Sequence, residues 1–155
     1  MNIELGLNSV TNHTAYHIYV ENRFYKLDVG ETYDTKNLPE RILLCSHKKC
    51  METLAEAMRI GTNPRFPSRL HCLYVCDESS VRYWYNYFQK RNQYWTLPTI
   101  YELQLTGQLF GTYAEYLEIP YYWEPTAALN PFQKEGLFEG LYNVVRECDI
   151  AEFPA

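Results

Sequence analysis

Residues whose types could do chemistry include two glutamates four positions apart, Glu135 and Glu139, a strand histidine, His17, and a Ser68-Arg69 pair in a proline-stiffened loop, though none forms a standard catalytic motif by itself. The two glutamates share one face of a strand but lie about 13 Å apart, too far for one to replace the other. Two groups carry metal-ligand residue types: Cys45, His47 and Cys50, and His71, Cys72 and Cys76. The second group falls in an apolar run, Leu70 to Val75, that reads as a strand. Four extended residues span about 13 Å, whereas two thiolates on one zinc must each approach to about 2.3 Å. These cysteines are therefore expected to be buried thiols, with no metal. Five cysteines at irregular spacing make a poor disulfide framework and fit a reducing compartment.

The elements that must position these residues follow from periodicity. Ala15 to Val20 is rich in β-formers and predicts a strand; Phe24 to Gly30 reads as a second strand or an extended loop. Ser46 suits an N-cap, and Met51, Leu54, Ala55 and Met58 fall on one helix face that Gly61 and Pro64 end. Arg69 to Cys76 predicts a strand. Asp77 suits a cap for a helix whose stripe is Val81, Trp84, Tyr85 and Phe88, ending near Arg91. Tyr101 to Leu105 alternates strictly and reads as a strand ending at Gly107. Residues 108–134 give no clear pattern beyond a short helix near 112–117. Leu137 to Val145 predicts a last strand, with Phe138, Tyr142 and Val144 on one side and Leu137, Leu141 and Val145 on the other. Strands and helices mixed without a βαβ beat predict an α+β domain spanning residues 1–155. No Gly-rich phosphate loop, G-x-S-x-G or paired Cys–His nucleophile is present, which disfavours Rossmann, P-loop and hydrolase chemistry.

Composition narrows the partners. The 155 residues carry a net charge of −5, with lysine and arginine scattered, so no basic face for bulk nucleic-acid binding is expected. Fifteen tyrosines suit a nucleotide pocket or an interface as well as a core. No secretory or mitochondrial leader and no run of about 18 apolar residues is visible, so a cytoplasmic location without a membrane span is expected.

The order of the pieces resembles the ADP-ribosyltransferase superfamily, in the branch of diphtheria toxin and poly(ADP-ribose) polymerases. Tyr16-His17-Ile18 is similar to the family's Tyr-His-x element, followed by Gly30. Leu73 to Asp77, running into the helix after residue 78, is similar to its second motif, where the helix carries a ring-stacking aromatic. Tyr101–Gly107 looks like the next core strand, and Glu135-Gly136-Leu137-Phe138 like the Glu-x-Leu-x element. Pro67 to Leu70 and Tyr83-Trp84 also resemble stretches of a prokaryotic branch. The likeness spans most of residues 15–145. Two departures are Tyr19, where many members carry Thr or Ser, and a turn after Asp77 shorter than in the polymerases.

This resemblance implies a split β-sheet core with flanking helices and NAD as co-substrate. Cleaving the nicotinamide–ribose bond passes through an oxocarbenium-like state, which needs a fixed ribose, a stacked nicotinamide and a nearby carboxylate. Glu135 is implied as the catalytic carboxylate, and His17 as the group that bonds a ribose hydroxyl. Tyr83 or Trp84 is implied as the stacking ring, with Tyr87 on the same stripe as Tyr83. Tyr19 and Ser68 complete the NAD-binding set, and Arg69 contacts either the pyrophosphate or a structural acid. The implied activity is transfer of ADP-ribose to a macromolecular acceptor, by charge a protein, as in a toxin, effector or phage-encoded modifier. The alternatives are NAD hydrolysis, RNA end-processing, and a catalytically silent module holding a nucleotide or a protein. Tyr19 favours the last.

Overall fold

The computed structural model describes residues 2–20, 27–38, 49–68, 71–91, 97–113 and 133–154. Three long strands dominate: β1 (Gly6–Tyr19), β4 (Thr99–Tyr113) and β5 (Lys134–Cys148). Short strands β2 (Thr32–Asp34) and β3 (Leu73–Val75) and two helices, α1 (Lys49–Thr62) and α2 (Val81–Arg91), complete the described elements. The class is α+β, as the sequence predicts, with a mainly antiparallel sheet.

The strands pair in the order β1-β4-β5-β2, and β3 also pairs with β5. β5 thus takes β4 along one edge and, on the other, β3 near Phe138 and β2 near Tyr142. β3 then reaches back to β1. Tyr16 and Cys76 exchange two backbone hydrogen bonds, at 2.9 and 2.8 Å, which joins the two ends of the sheet at a single bridge.

Residue parity sorts the side chains between two cores. Inside the curled sheet lie Ala15, Leu73, Val75, Leu103, Leu105, Leu109, Phe138, Tyr142 and Val144. Full burial of Phe138 or Tyr142 contributes about 2–3 kcal/mol each. On the outer face, Tyr16, Ile18, Cys76 and Ile100 pack against Val81, Trp84 and Tyr85 of α2 and against Phe153. The α2 stripe is buried as its periodicity predicts, with Phe88 packed at its edge. Arg82 ties this layer to the C-terminal segment, donating to the carbonyls of Phe153 at 2.7 Å and Ile150 at 2.9 Å. Of the two predicted faces of β5, Phe138, Tyr142 and Val144 are all buried, while on the other Leu141 and Val145 are exposed and Leu137 is buried.

Several boundaries differ from the sequence reading. β1 begins nine residues before the expected Ala15, because its polar first half pairs with the second half of β4 from Gly6↔Gly111 onward. β4 does not stop at Gly107. There it crosses Gly140 of β5, and a Cβ on Gly107 would collide with the Glu139 carbonyl. The strands can continue only because both residues are glycine, each at positive φ (154° and 145°). Thr112 and Tyr113, expected to open a short helix, extend β4. Met58, expected on the buried stripe of α1, is 57% exposed. The expected Ser46 cap and the strand through residues 24–26 lie outside the described residues, and Asp77 makes no side-chain capping bond. No described helix is long and apolar enough to cross a membrane.

Candidate functional site

The residues singled out from sequence fall into three places. His17 follows Tyr16, which points to the outer core, so it projects inward beside Ala15 and Val75. It is 3% exposed, and its Nδ1 lies 2.7 Å from the Tyr74 carbonyl, so Nδ1 carries the proton. Tyr19, two residues on, faces the same way and packs edge-on against Tyr101 at 6.3 Å.

Glu135, the second residue of β5, pairs with Thr112 and points to the outer face, because Gly136 turns inward toward Val75 and Leu109. The thiol of Cys76, pushed up chiefly by burial, also feels the charges of Asp77 and Glu135. Trp84 is buried, and its indole donates to the Lys134 carbonyl at 3.0 Å, next to Glu135. Tyr83 meets Trp84 edge-on at 5.1 Å and stacks with Tyr87 at 6.4 Å. The fold therefore gathers Glu135, Trp84 and Tyr83 around the start of β5 and leaves His17 and Tyr19 on the opposite face of the sheet.

The third place is a cleft of about 600 Å³ over the middle of β5. Its floor is the Gly107–Gly140 crossing, where side chains are absent and the backbone is accessible. Asp34, Thr35 and Lys36 from the β2 end, Ser68 and His71 from the segment before β3, and Glu139, Thr106 and Gln108 from the sheet line it. Thr35 is buried and accepts a hydrogen bond from the Gly140 amide at 3.1 Å. Ser68, expected in the site from sequence, is here, but beside Glu139 and not Glu135: its amide donates to Glu139 Oε1 at 2.9 Å. Arg69 lies outside the described residues.

A second carboxylate supports this arrangement. The Ser68 hydroxyl donates to Glu56 Oε2 at 2.7 Å. Glu56 is held below the usual carboxylate value, first by its hydrogen bonds from Arg59 and then, against the opposing effect of burial, by that from Ser68. Arg59 binds both Glu56 oxygens through Nε at 3.2 Å and donates from Nη1 to the Pro64 and Phe66 carbonyls at 2.9 and 3.1 Å. Phe66 stacks on Phe110 of β4 at 4.3 Å, fixing the same loop from its apolar side. The sequence reading missed Glu56, Thr35, Lys36 and Gln108. The one local signal was the Glu56/Arg59 spacing of three on a helix, which is also the pattern of an ordinary surface pair.

The cleft has the components for a polar organic ligand: an acid backed by an amide, an exposed lysine, several hydroxyls and bare backbone. Among the described residues, no three His, Cys, Asp or Glu side chains converge on a metal position. Cys72, Cys76 and Cys148 are buried cysteines outside any disulfide. A search of curated proteins finds no match. The family described as "Protein of unknown function (DUF2441)" matches residues 8–152, a span that takes in β2 to β5, all but the first two residues of β1, both helices and the cleft. The chain belongs to the DUF2441 family.

Proposed function

We propose that this protein binds NAD and transfers its ADP-ribose to a macromolecular acceptor, a protein by preference, with the cleft over β5 as the place of reaction. The observation that carries the reading is the Glu139 carboxylate, aimed by the Ser68 amide at 2.9 Å into a cleft of about 600 Å³. That volume suits a nucleotide-sized ligand. A fixed carboxylate beside an anomeric carbon stabilises positive charge developing on the ribose. The resemblance to ADP-ribosyltransferases supports the NAD chemistry, but it implies Glu135, with Tyr83 and Trp84, and not Glu139 as the place of reaction. A split-sheet core is the finer architecture this reading expects, and the edge of β5 shared between two short strands is compatible with it.

The reading moves the reacting carboxylate from Glu135 to Glu139, because Ser68 and the cleft lie at Glu139. Glu135, with Trp84 and Tyr83 beside it, is the competing position. Nicotinamide release from NAD by the purified protein, with lysate proteins as acceptors, tests both. Loss of about 10²–10³-fold in Glu139→Gln, with Glu135→Gln near wild type, is expected. The reverse pattern returns the role to Glu135. Absence of NAD binding overturns the proposal.

A second reading is a binding module without turnover. Its specific support is His17, which faces inward, 3% exposed and bonded to a backbone carbonyl, and so does not present its ring to a bound ribose. NAD binding without nicotinamide release is its signature.

A further inference from the structure

We infer that Glu56 is a positioning residue, which sets the orientation of the Glu139 carboxylate by acting through Ser68. Its catalytic meaning rests on Glu139 being the reacting carboxylate; its geometry does not.

Ser68 is bonded in two directions. Its hydroxyl donates to Glu56 Oε2 at 2.7 Å, and its amide donates to Glu139 Oε1 at 2.9 Å. An ionised carboxylate only accepts hydrogen bonds, so the direction of both is settled: Ser68 is donor to each acid. The hydroxyl bond locks the Ser68 side chain, and Pro67 before it restricts the backbone, so the amide has little freedom left. The His71 amide bonds the Ser68 carbonyl at 3.1 Å and holds the far side of the same residue. Two acids converging on one small residue would repel each other if both charges were bare. Arg59 removes that conflict. It covers both Glu56 oxygens and also holds the Pro64 and Phe66 carbonyls, so the whole approach to Ser68 is fastened to α1. The negative charge left facing the cleft is that of Glu139. An aimed N–H on one oxygen leaves the second oxygen to a substrate hydroxyl or a developing cation.

The test follows the Ser68 amide proton by ¹H–¹⁵N NMR of the full chain. An amide bonded to a carboxylate resonates downfield, and Glu139→Gln should move the signal upfield. Glu56→Ala is expected to produce a comparable upfield move although Glu139 is intact. Glu56→Gln, which keeps an oxygen for the hydroxyl, should largely restore the wild-type position. Because Glu56→Ala leaves Arg59 uncompensated, Ser68→Ala serves as the second variant: it keeps the amide, loses only the hydroxyl, and should shift the residue-68 signal in the same sense. In the NAD assay, kcat should fall roughly tenfold to a hundredfold in Glu56→Ala and Ser68→Ala, with KM within about twofold and recovery in Glu56→Gln. A residue-68 amide that responds to Glu139→Gln but to neither of the other two changes overturns the inference. If the amide responds as expected while NAD is not turned over, the positioning stands and the proposed reaction fails.

Discussion

His17 on β1 bonds the carbonyl of Tyr74 on β3 at 2.7 Å, across the junction where the two ends of the sheet meet. Among the described residues, only the Tyr16–Cys76 pair supplies backbone hydrogen bonds there, whereas β4 and β5 pair from Ile100↔Cys148 to Tyr113↔Lys134. The buried His17 ring therefore reinforces a sparsely bonded join of the sheet.

His17→Ala should destabilise the protein by about 1–3 kcal/mol, because it leaves the Tyr74 carbonyl without this donor. Amide hydrogen exchange at Tyr16 and Cys76 should accelerate more than exchange in the β4–β5 pair. Chemical denaturation and exchange mass spectrometry measure both. A variant with unchanged stability and junction exchange, but weaker NAD binding, would return His17 to the ligand role implied by the family resemblance.

Gly140→Ala should cost about 2–3 kcal/mol, since its Cβ would meet the Thr106 carbonyl at 2.5 Å where the φ is 145°. The equivalent change at Gly107 strikes the Glu139 carbonyl and should also disturb the cleft. Gly30→Ala serves as the control: its φ of 91° is also positive, but nothing lies within 4 Å of the added atom. Equal losses at positions 30 and 140, measured by urea midpoint, would show that close approach of the strands is not the cause.

Acid should weaken the fold in two stages. The His13 pKa lies below the usual imidazole value of 6.5, chiefly because burial disfavours the charged ring, and its buried Nε2 has no hydrogen-bond partner among the described residues. A folded value below the unfolded one means that the contribution is present above pH 6.5 and declines as pH falls through the folded value. Glu56, held below 4.5 first by Arg59, acts with the same sign in a lower window: its contribution is present above 4.5 and is lost on further acidification. Denaturation midpoints should fall first below about pH 6.5 and again below about 4.5. Glu56→Gln should flatten the second stage only, and His13→Gln the first. A midpoint independent of pH between about 7 and 5 would remove the assignment to His13.

Cys72, Cys76 and Cys148 should resist alkylation in the native protein. All three are buried, and burial pushes the thiols of Cys76 and Cys148 up, away from the reactive thiolate. Iodoacetamide labelling at neutral pH, mapped by mass spectrometry, should modify these positions at least about tenfold faster in denaturant. Native labelling of Cys76 at the denatured rate would contradict its place between β1 and α2.

Much of the packing was legible because it is periodic. Val81, Trp84 and Tyr85 on α2, and Phe138, Tyr142 and Val144 on β5, repeat at the spacing of their element and are buried. The first half of β1 was not legible: Asn8 and Ser9 are polar, and their strand state comes from Leu109 and Gln108 on β4, while Thr11 and Asn12 form the irregularity in that ladder. Gly107 reads locally as a terminator, and only Gly140 opposite explains why the strand runs on. In the site, Ser68 was found and its neighbour was not. Whether it meets Glu135 or Glu139 depends on how the loop after α1 lies over β5, which strand parity does not determine, since both glutamates share a face. Glu56 was missed because its partner Arg59 is local, while its bond to Ser68 needs the helix to return over that loop.

The pairing of β1 with β4 has a consequence for how the chain is made. Gly6 pairs with Gly111, and Tyr19 with Thr99, so β1 cannot form its ladder with β4 until residues 80 to 105 positions further along have been made. Closing loops of that length costs conformational entropy before any contact is gained, and such high contact order slows folding. During that wait Tyr16, Ile18 and Tyr19 are exposed on an unpaired edge, a surface on which chaperones and misassembly compete. Synthesis rate and temperature should therefore govern the yield of native protein more strongly than its final stability does.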